Sequence, residues 1–471
     1  LAKKSVSETR AMTVLALLSI LVGMAAGAIG AAFRYSLERA DVVRAMIVAQ
    51  TSAHYILGPV LMMAGAALAA GFAAWLVRRV SPDAAGSGIP HVEAVLEGAL
   101  APAPAQLIPV KFLGGVLAMG SGLALGREGP SVQMGVTAAH VIGVLFRRNL
   151  DDSRALIAGG AGAGLATAFN APGAGAIFVL EELVGRFDAR IGLVALGASA
   201  GAITVSQGLL GNALDFQVAA MAAGGVRELI LFLGLGLFAG LLSVGHNRFL
   251  LATLSLVERI KAPVEVRAAA IGAVVGLLAW CVPHLVGGGD GITQQALNGG
   301  LMLAALPALF LFRLVLGAVS YAAGTPGGLF APLMVLGTVS GLAFGYCVEA
   351  VFPGLAVRPE AFALVGMAAL FAGTVRAPLT GIVLVTEMTG SATLLLPLLA
   401  ACFGAMLVAE TLREAPIYAA LKARAERSVS PSNARAAPIW ALARGEPNCS
   451  SLVSARYLRS PTGALPARAS T

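Results

Sequence analysis

Charge is what this sequence has least of. Only 12% of its 471 residues are Asp, Glu, Lys or Arg, while 58% are hydrophobic. A soluble chain carries about 25% charged residues. So little charge cannot cover a water-facing surface, which excludes an ordinary soluble domain and leaves a lipid bilayer as the solvent. Cysteine is sparse too. Cys281, Cys347 and Cys402 lie in apolar stretches and Cys449 in the tail, with no spacing of a zinc site or a disulfide framework. The five histidines are scattered, which argues against a metal centre. Aromatic residues make up just 6%.

What is present is glycine, 58 residues of it, and alanine-rich apolar runs with a mean hydropathy of +0.85. Small residues let transmembrane helices approach closely. The apolar runs begin at Met12–Phe33 and end at Leu394–Leu412. Several, such as Val132–Phe146, are shorter than the roughly 20 residues a crossing helix needs. Short apolar segments broken by Gly and Pro belong to transporters, where irregular backbone at membrane depth lines a polar site. The net charge of +8 does not point to nucleic acid. Its residues gather beside apolar spans: Lys3, Lys4 and Arg10; Arg78 and Arg79; Arg147 and Arg148; Arg413, Lys422, Arg424 and Arg427. Such charges set topology and predict cytoplasmic termini. The first apolar run passes into a long helix without a cleavage-site pattern, so no cleavable signal peptide is expected. The stretch 428–471, rich in Ser, Pro, Arg and Ala, is expected to be a disordered cytoplasmic tail.

The chain repeats itself. Gly86-Ser87-Gly88-Ile89 is echoed by Gly289-Asp290-Gly291-Ile292, and Gly126-Arg127-Glu128-Gly129-Pro130 by Gly328-Leu329-Phe330-Ala331-Pro332. Ala171-Pro172-x-x-Gly175, running on to Glu181, is echoed by Ala377-Pro378-x-x-Gly381, running on to Glu387. The order is kept at nearly one offset. The expected organisation is a cytoplasmic segment 1–11, a first transmembrane repeat 12–215 and a second one 225–425. The offsets leave open whether the halves are parallel or inverted. In transporters built this way the substrate sits near the midplane between the repeats.

Glu128 is the most informative residue. Pro130 suits a first helical turn, and the flanking glycines allow close backbone approach. The motif describes a helix N-terminus at membrane depth, whose free N–H groups and dipole attract anions. Around Gly328–Pro332 the same construction recurs with Phe330 in place of the acid. Two such ends facing each other make an anion site without a formal positive charge. The alternative is a pair of ordinary capped turns. An acid at membrane depth costs roughly 2.5–3.5 kcal/mol on insertion scales and tends to be functional. Ser87 offers a hydroxyl donor, or is a turn serine. Glu181 and Glu182 end an apolar run about 100° apart on a helix, so they should meet different surroundings. One faces the interior and the other water or a partner, with a capping or solvated role the default for at least one. Glu93, four residues before Glu97, fits a helix's wet face slightly better than a buried role. Gly159–Gly164 reads as small-residue helix packing rather than a dinucleotide loop, since no alternating α/β pattern surrounds it.

Taken together, Gly86–Pro90, Gly126–Pro130, Gly328–Pro332 and Tyr418 in Ala-Pro-Ile-Tyr-Ala-Ala-Leu resemble the CLC family of chloride channels and chloride/proton antiporters. Val110–Phe112 and Phe169–Pro172 fit as well, and the resemblance spans about residues 12–425. It implies an all-α integral membrane protein of two inverted-topology repeats of tilted and broken helices, and a homodimer with one anion pathway per subunit. It implies that the hydroxyls of Ser87 and Tyr418, with backbone N–H groups near Leu329 and Phe330, hold chloride. Glu128 would be the external gate and proton acceptor, and Glu182 the internal proton acceptor. His91, where an acid often follows the first motif, and Gly173, in place of a bulkier residue, depart from the family pattern. The implied activity is exchange of chloride for protons across the cell's inner membrane, with no cofactor, no enzyme chemistry and no nucleic-acid partner. The alternatives are a passive chloride channel of the same fold, a fluoride exporter and a membrane-embedded enzyme. Glu182 argues against the channel, Ser87 against the exporter, and the lack of a Ser/His, Cys/His or metal constellation against the enzyme.

Overall fold

The computed structural model describes residues 2–219, 225–354 and 358–428, with backbone only at 2–10, 226–227 and 428. The expected tail 428–471 lies almost wholly outside the described residues. The described chain is α-helical. Seven of its helices are long and apolar enough to cross a bilayer, and others, such as α4 and α14 below, are shorter.

The helices come in two series that match element for element. The first series is α1 (Ala2–Thr51), α2 (Leu57–Val80), α3 (Ile89–Glu97), α4 (Leu107–Gly120), α5 (Glu128–Leu145), α6 (Leu150–Phe169), α7 (Pro172–Phe178) and α8 (Ala189–Leu210). The second is α9 (Val226–Glu258), α10 (Val264–Cys281), α11 (Asp290–Leu297), α12 (Leu306–Ala322), α13 (Phe330–Val351), α14 (Pro359–Val375), α15 (Pro378–Thr389) and α16 (Leu395–Thr411). A last helix, α17 (Ile417–Ser428), follows. Helix α1 is longer than the apolar run Met12–Phe33, because Arg34–Thr51 continues it without a glycine or proline.

The packing gives the relative orientation of the halves. Helices α2 and α10 hold equivalent places, and both can span a membrane. Gly276 packs on the backbone of Met62, Gly272 on that of Ala66, and Gly71 on Ala269. Residue numbers therefore rise along one helix as they fall along the other. Arg78, near the end of α2, pairs with Glu265, in the first turn of α10, at 3.0 Å. Two equivalent spanning helices that run antiparallel place the second half upside down relative to the first. The repeats are inverted. Small residues at these crossings replace side-chain interdigitation with backbone contact.

The same symmetry acts at the centre. Gly126 N donates to Gly328 O at 2.9 Å and Gly328 N to Gly126 O at 2.7 Å. This antiparallel bridge joins a residue to its own repeat partner. It brings the starts of α5 and α13 together. Before α3 and α11 the chain turns through Gly88 (φ +82°) and Gly289 (φ +98°), a left-handed backbone that favours glycine.

Candidate functional site

Helices α5 and α13 start side by side, and Glu128 lies between them. Its side chain is fully buried. Its Oε1 accepts a hydrogen bond from Phe330 N at 2.7 Å, so the carboxylate caps the N-terminus of the opposite helix. Oε2 is buried with no hydrogen-bond partner among the described residues. The space around the group is tight: a Cβ on Gly328 or Gly126 would collide with its oxygens. An anionic group thus sits where unpaired N–H donors and the positive end of α13 converge. Leu329 precedes Phe330 and is buried. The Phe330 ring is enclosed by Phe169, Phe178, Phe371 and Tyr418, at centroid separations of 4.6–6.3 Å.

Ser87 and Tyr418 reach the same place from distant parts of the chain. Ser87 is buried, and its Oγ accepts a loose 3.5 Å bond from Ile89 N at the start of α3. Tyr418, on α17, is fully buried and interacts with the Ser87 side chain. Its Oη lacks a well-formed hydrogen bond among the described residues. Two hydroxyls and the Glu128 carboxylate thus share one buried neighbourhood with unused hydrogen-bonding capacity.

The acid pair separates into two roles. Helix α7 continues as a π-helical turn, Val179–Leu183, closed by the bond from Val184 N to Val179 O. Single π turns of this kind mark functional sites often. Glu181 caps α15, accepting from Leu379 N at 2.9 Å, Thr380 N at 2.7 Å and Thr380 Oγ1 at 2.7 Å. Glu387 returns the arrangement, accepting from Gly173 N at 3.0 Å and Ala174 N at 2.9 Å at the start of α7. The capping role therefore belongs to Glu181. Glu182 has no such bond among the described residues; it is half-buried and electrostatically close to Glu93. The structure corrects the reading of Glu93. It does not lie on a wet face but is buried, 8% exposed. Helix α3 is nine residues long and is covered by α5, α6, α17 and the π turn, which leaves only Glu97 in water. Glu97 pairs with Lys422. His91, half-buried, lies 3.4 Å from the Gln133 side chain, which itself donates to Asp83 O at 2.8 Å.

Several residues of the site have no individual sequence reading. Lys111, fully buried on α4, donates to Ala84 O at 3.0 Å and Gly86 O at 2.8 Å. Arg313 on α12 donates to the carbonyls of Leu285, Gly287 and Gly288 at 2.8–3.0 Å. A lone cation inside an apolar run, recurring at the repeat offset, is the signal that would have found both. Arg127 donates to Ala168 O at 2.7 Å and pairs with Asp215 at 3.0 Å. Arg34 pairs with the other oxygen of Asp215 at 2.7 Å. These three side chains, with Asp41 and Asp290, line a cavity of about 200 Å3 bordering the Gly126–Arg127 segment.

Inverted repeats around paired broken helices, with a buried acid capping the opposite half, define a membrane transport protein with an anion-accepting centre. Residues 67–410 match the model of the voltage gated chloride channel family. The chain belongs to that family, the CLC proteins. It is 39% identical over 356 residues to the H(+)/Cl(-) exchange transporter ClcA of Vibrio parahaemolyticus, covering 74% of this chain and 76% of the relative. It is 37% identical to the protein of the same name from Klebsiella pneumoniae, covering 87% and 88%. Among solved structures it is similar to a slow cyanobacterial Cl-/H+ antiporter, with a TM-score of 0.84 and 32% identity, covering 88% of this chain and 98% of the other.

Proposed function

We propose that this chain is a secondary transporter exchanging chloride for protons, with Glu128 as the gate. The observation that carries the reading is the bond from Phe330 N to Glu128 Oε1 at 2.7 Å. A carboxylate seated on an anion position competes with chloride for it. Protonation removes its charge, weakens its hold on the helix end and lets chloride in. Deprotonation returns it. Each exchange of carboxylate for chloride therefore moves a proton as well as an anion.

In this reading Ser87, Tyr418 and the N–H groups of Leu329 and Phe330 bind the anion, and Glu182 receives protons on the inner side. Neutral donors hold the anion without the tight binding a lysine would impose. The π turn supports the role of Glu182, because it leaves one acid uncapped beside another that is fully engaged. Exchange of this kind needs no cofactor and no covalent chemistry. The 12–215 and 225–425 halves form one transport unit. We place it in the cell's inner membrane with both termini in the cytoplasm, as a homodimer with one pathway per subunit. The names of the relatives support this activity, and Glu182 favours it over a passive channel.

The test is simultaneous chloride and proton flux in liposomes holding the purified protein. A chloride gradient should drive protons uphill. Chloride flux without proton movement would leave a channel, and no chloride flux would remove the reading altogether.

A further inference from the structure

A third hydroxyl stands beside Ser87. Tyr321, near the end of α12, reaches across from the second repeat to the loop that precedes α3. Ser87 N donates to its Oη at 3.5 Å. Gly86, in the left-handed region at φ +56°, leaves room for it, since a Cβ there would lie 3.2 Å from the phenol oxygen. The group is also within electrostatic reach of Glu128 and Tyr418.

Packing does not account for this hydroxyl. The Tyr321 ring sits between the two largest core clusters and packs on both, a task a phenylalanine would perform equally. Nor is the oxygen needed to hold the loop. Gly86 O is already fixed by Lys111 Nζ at 2.8 Å and by Gly327 N at 3.0 Å. A 3.5 Å bond is longer than the roughly 2.7–3.2 Å of a good N–H···O contact, so it satisfies Ser87 N weakly. The phenol proton has no acceptor among the described residues. Burying a hydroxyl without a good partner costs free energy, unless a ligand supplies that partner.

We propose that Tyr321 is a third hydroxyl donor of the anion site, giving its proton to chloride alongside Ser87 and Tyr418. This rests on the transport reading above. It assigns the second repeat a side-chain ligand from α12, in addition to the backbone of α13. Chloride accepts several donors at once, so the phenol both strengthens binding and restricts which anions fit. A flat, multi-oxygen anion such as nitrate meets a differently shaped ring of donors than a sphere does.

The experiment compares Tyr321→Phe with the parent. Chloride, bromide and nitrate binding are measured calorimetrically on purified protein, with thermal melting followed with and without chloride. Loss of one donor to an anion predicts about tenfold weaker chloride binding. The chloride-dependent rise in melting temperature should shrink in step, while melting without chloride stays as in the parent. The ranking of the three anions should change. Unchanged affinities and ranking would overturn the proposal. So would a lower chloride-free melting temperature with chloride affinity intact, or failure to fold, because either assigns the hydroxyl to the fold. A parent protein that binds no chloride would instead overturn the transport reading, so the two failures are distinct.

Discussion

Lys111 and Arg313 do the same work in opposite halves. Each is buried on the fourth helix of its repeat, and among the described residues each donates to main-chain carbonyls of the loop before the third helix. Neither meets a carboxylate in those bonds. The first of these loops carries Ser87, and the second leads into α11 at its repeat counterpart, Asp290. The charge is spent on fixing irregular backbone at membrane depth, where water cannot satisfy it.

The first prediction follows from that. Lys111→Met removes the donor that satisfies Ala84 O, and should cost about 1–3 kcal/mol of stability. Arg313→Met strips three carbonyls and should cost more. Thermal melting of the purified variants in one detergent measures both. A Lys111→Met protein that melts like the parent would sink this account of the loop.

Glu128→Gln keeps an oxygen for the Phe330 N–H but carries no charge at any pH. Chloride should still cross, and proton movement should stop. Paired flux measurements in liposomes check this. Proton transport driven by chloride in the Glu128→Gln protein would place the outer proton acceptor elsewhere.

Adjacent acids should behave in opposite ways. Glu182→Gln should abolish proton movement, leave chloride flux and leave the melting temperature nearly unchanged. Glu181→Ala strips a cap from α15 and should cost about 1–2 kcal/mol of stability. Coupled transport that survives Glu182→Gln would move the inner role, with Glu93 the next residue to test.

Gly173 has a local reason to lack a side chain. A Cβ there would lie 2.6 Å from Glu387 Oε1, so any side chain pushes that carboxylate off the start of α7. Gly173→Leu should therefore destabilise the protein by about 1 kcal/mol, the worth of a helix cap. Glu387→Gln weakens the same cap first, so the two changes together should cost less than their sum. Full additivity in a melting double-mutant cycle would refute the link.

Chloride binding should weaken in Ser87→Ala combined with Tyr418→Phe, and the order of anion preference should shift. Calorimetric titration reads both. Binding and ranking identical to the parent would take these two hydroxyls out of the site.

The motifs around Ser87, Glu128 and Phe330 were legible in the chain because glycine and proline mark broken helices by their own backbone restrictions. Glu93 was not. Its spacing from Glu97 fits a solvated face equally well, and only the helices packed on α3 bury it. The division of labour between Glu181 and Glu182 was also hidden, since the donors that engage Glu181 lie at Leu379 and Thr380, in the other half of the chain.

By itself the sequence determined the solvent, the repeat and the broken helices. Those follow from composition and from local backbone chemistry, which need no partner. Tertiary structure alone decided that the halves are inverted, because direction across a membrane is a relation between α2 and α10 and not a property of either. It decided as well that Glu128 caps Phe330, that Glu181 and not its neighbour Glu182 caps α15, and that Tyr321 meets Ser87. The bonded residues lie 198 to 234 positions apart, and a hydrogen bond depends on distance in space, which no local pattern encodes.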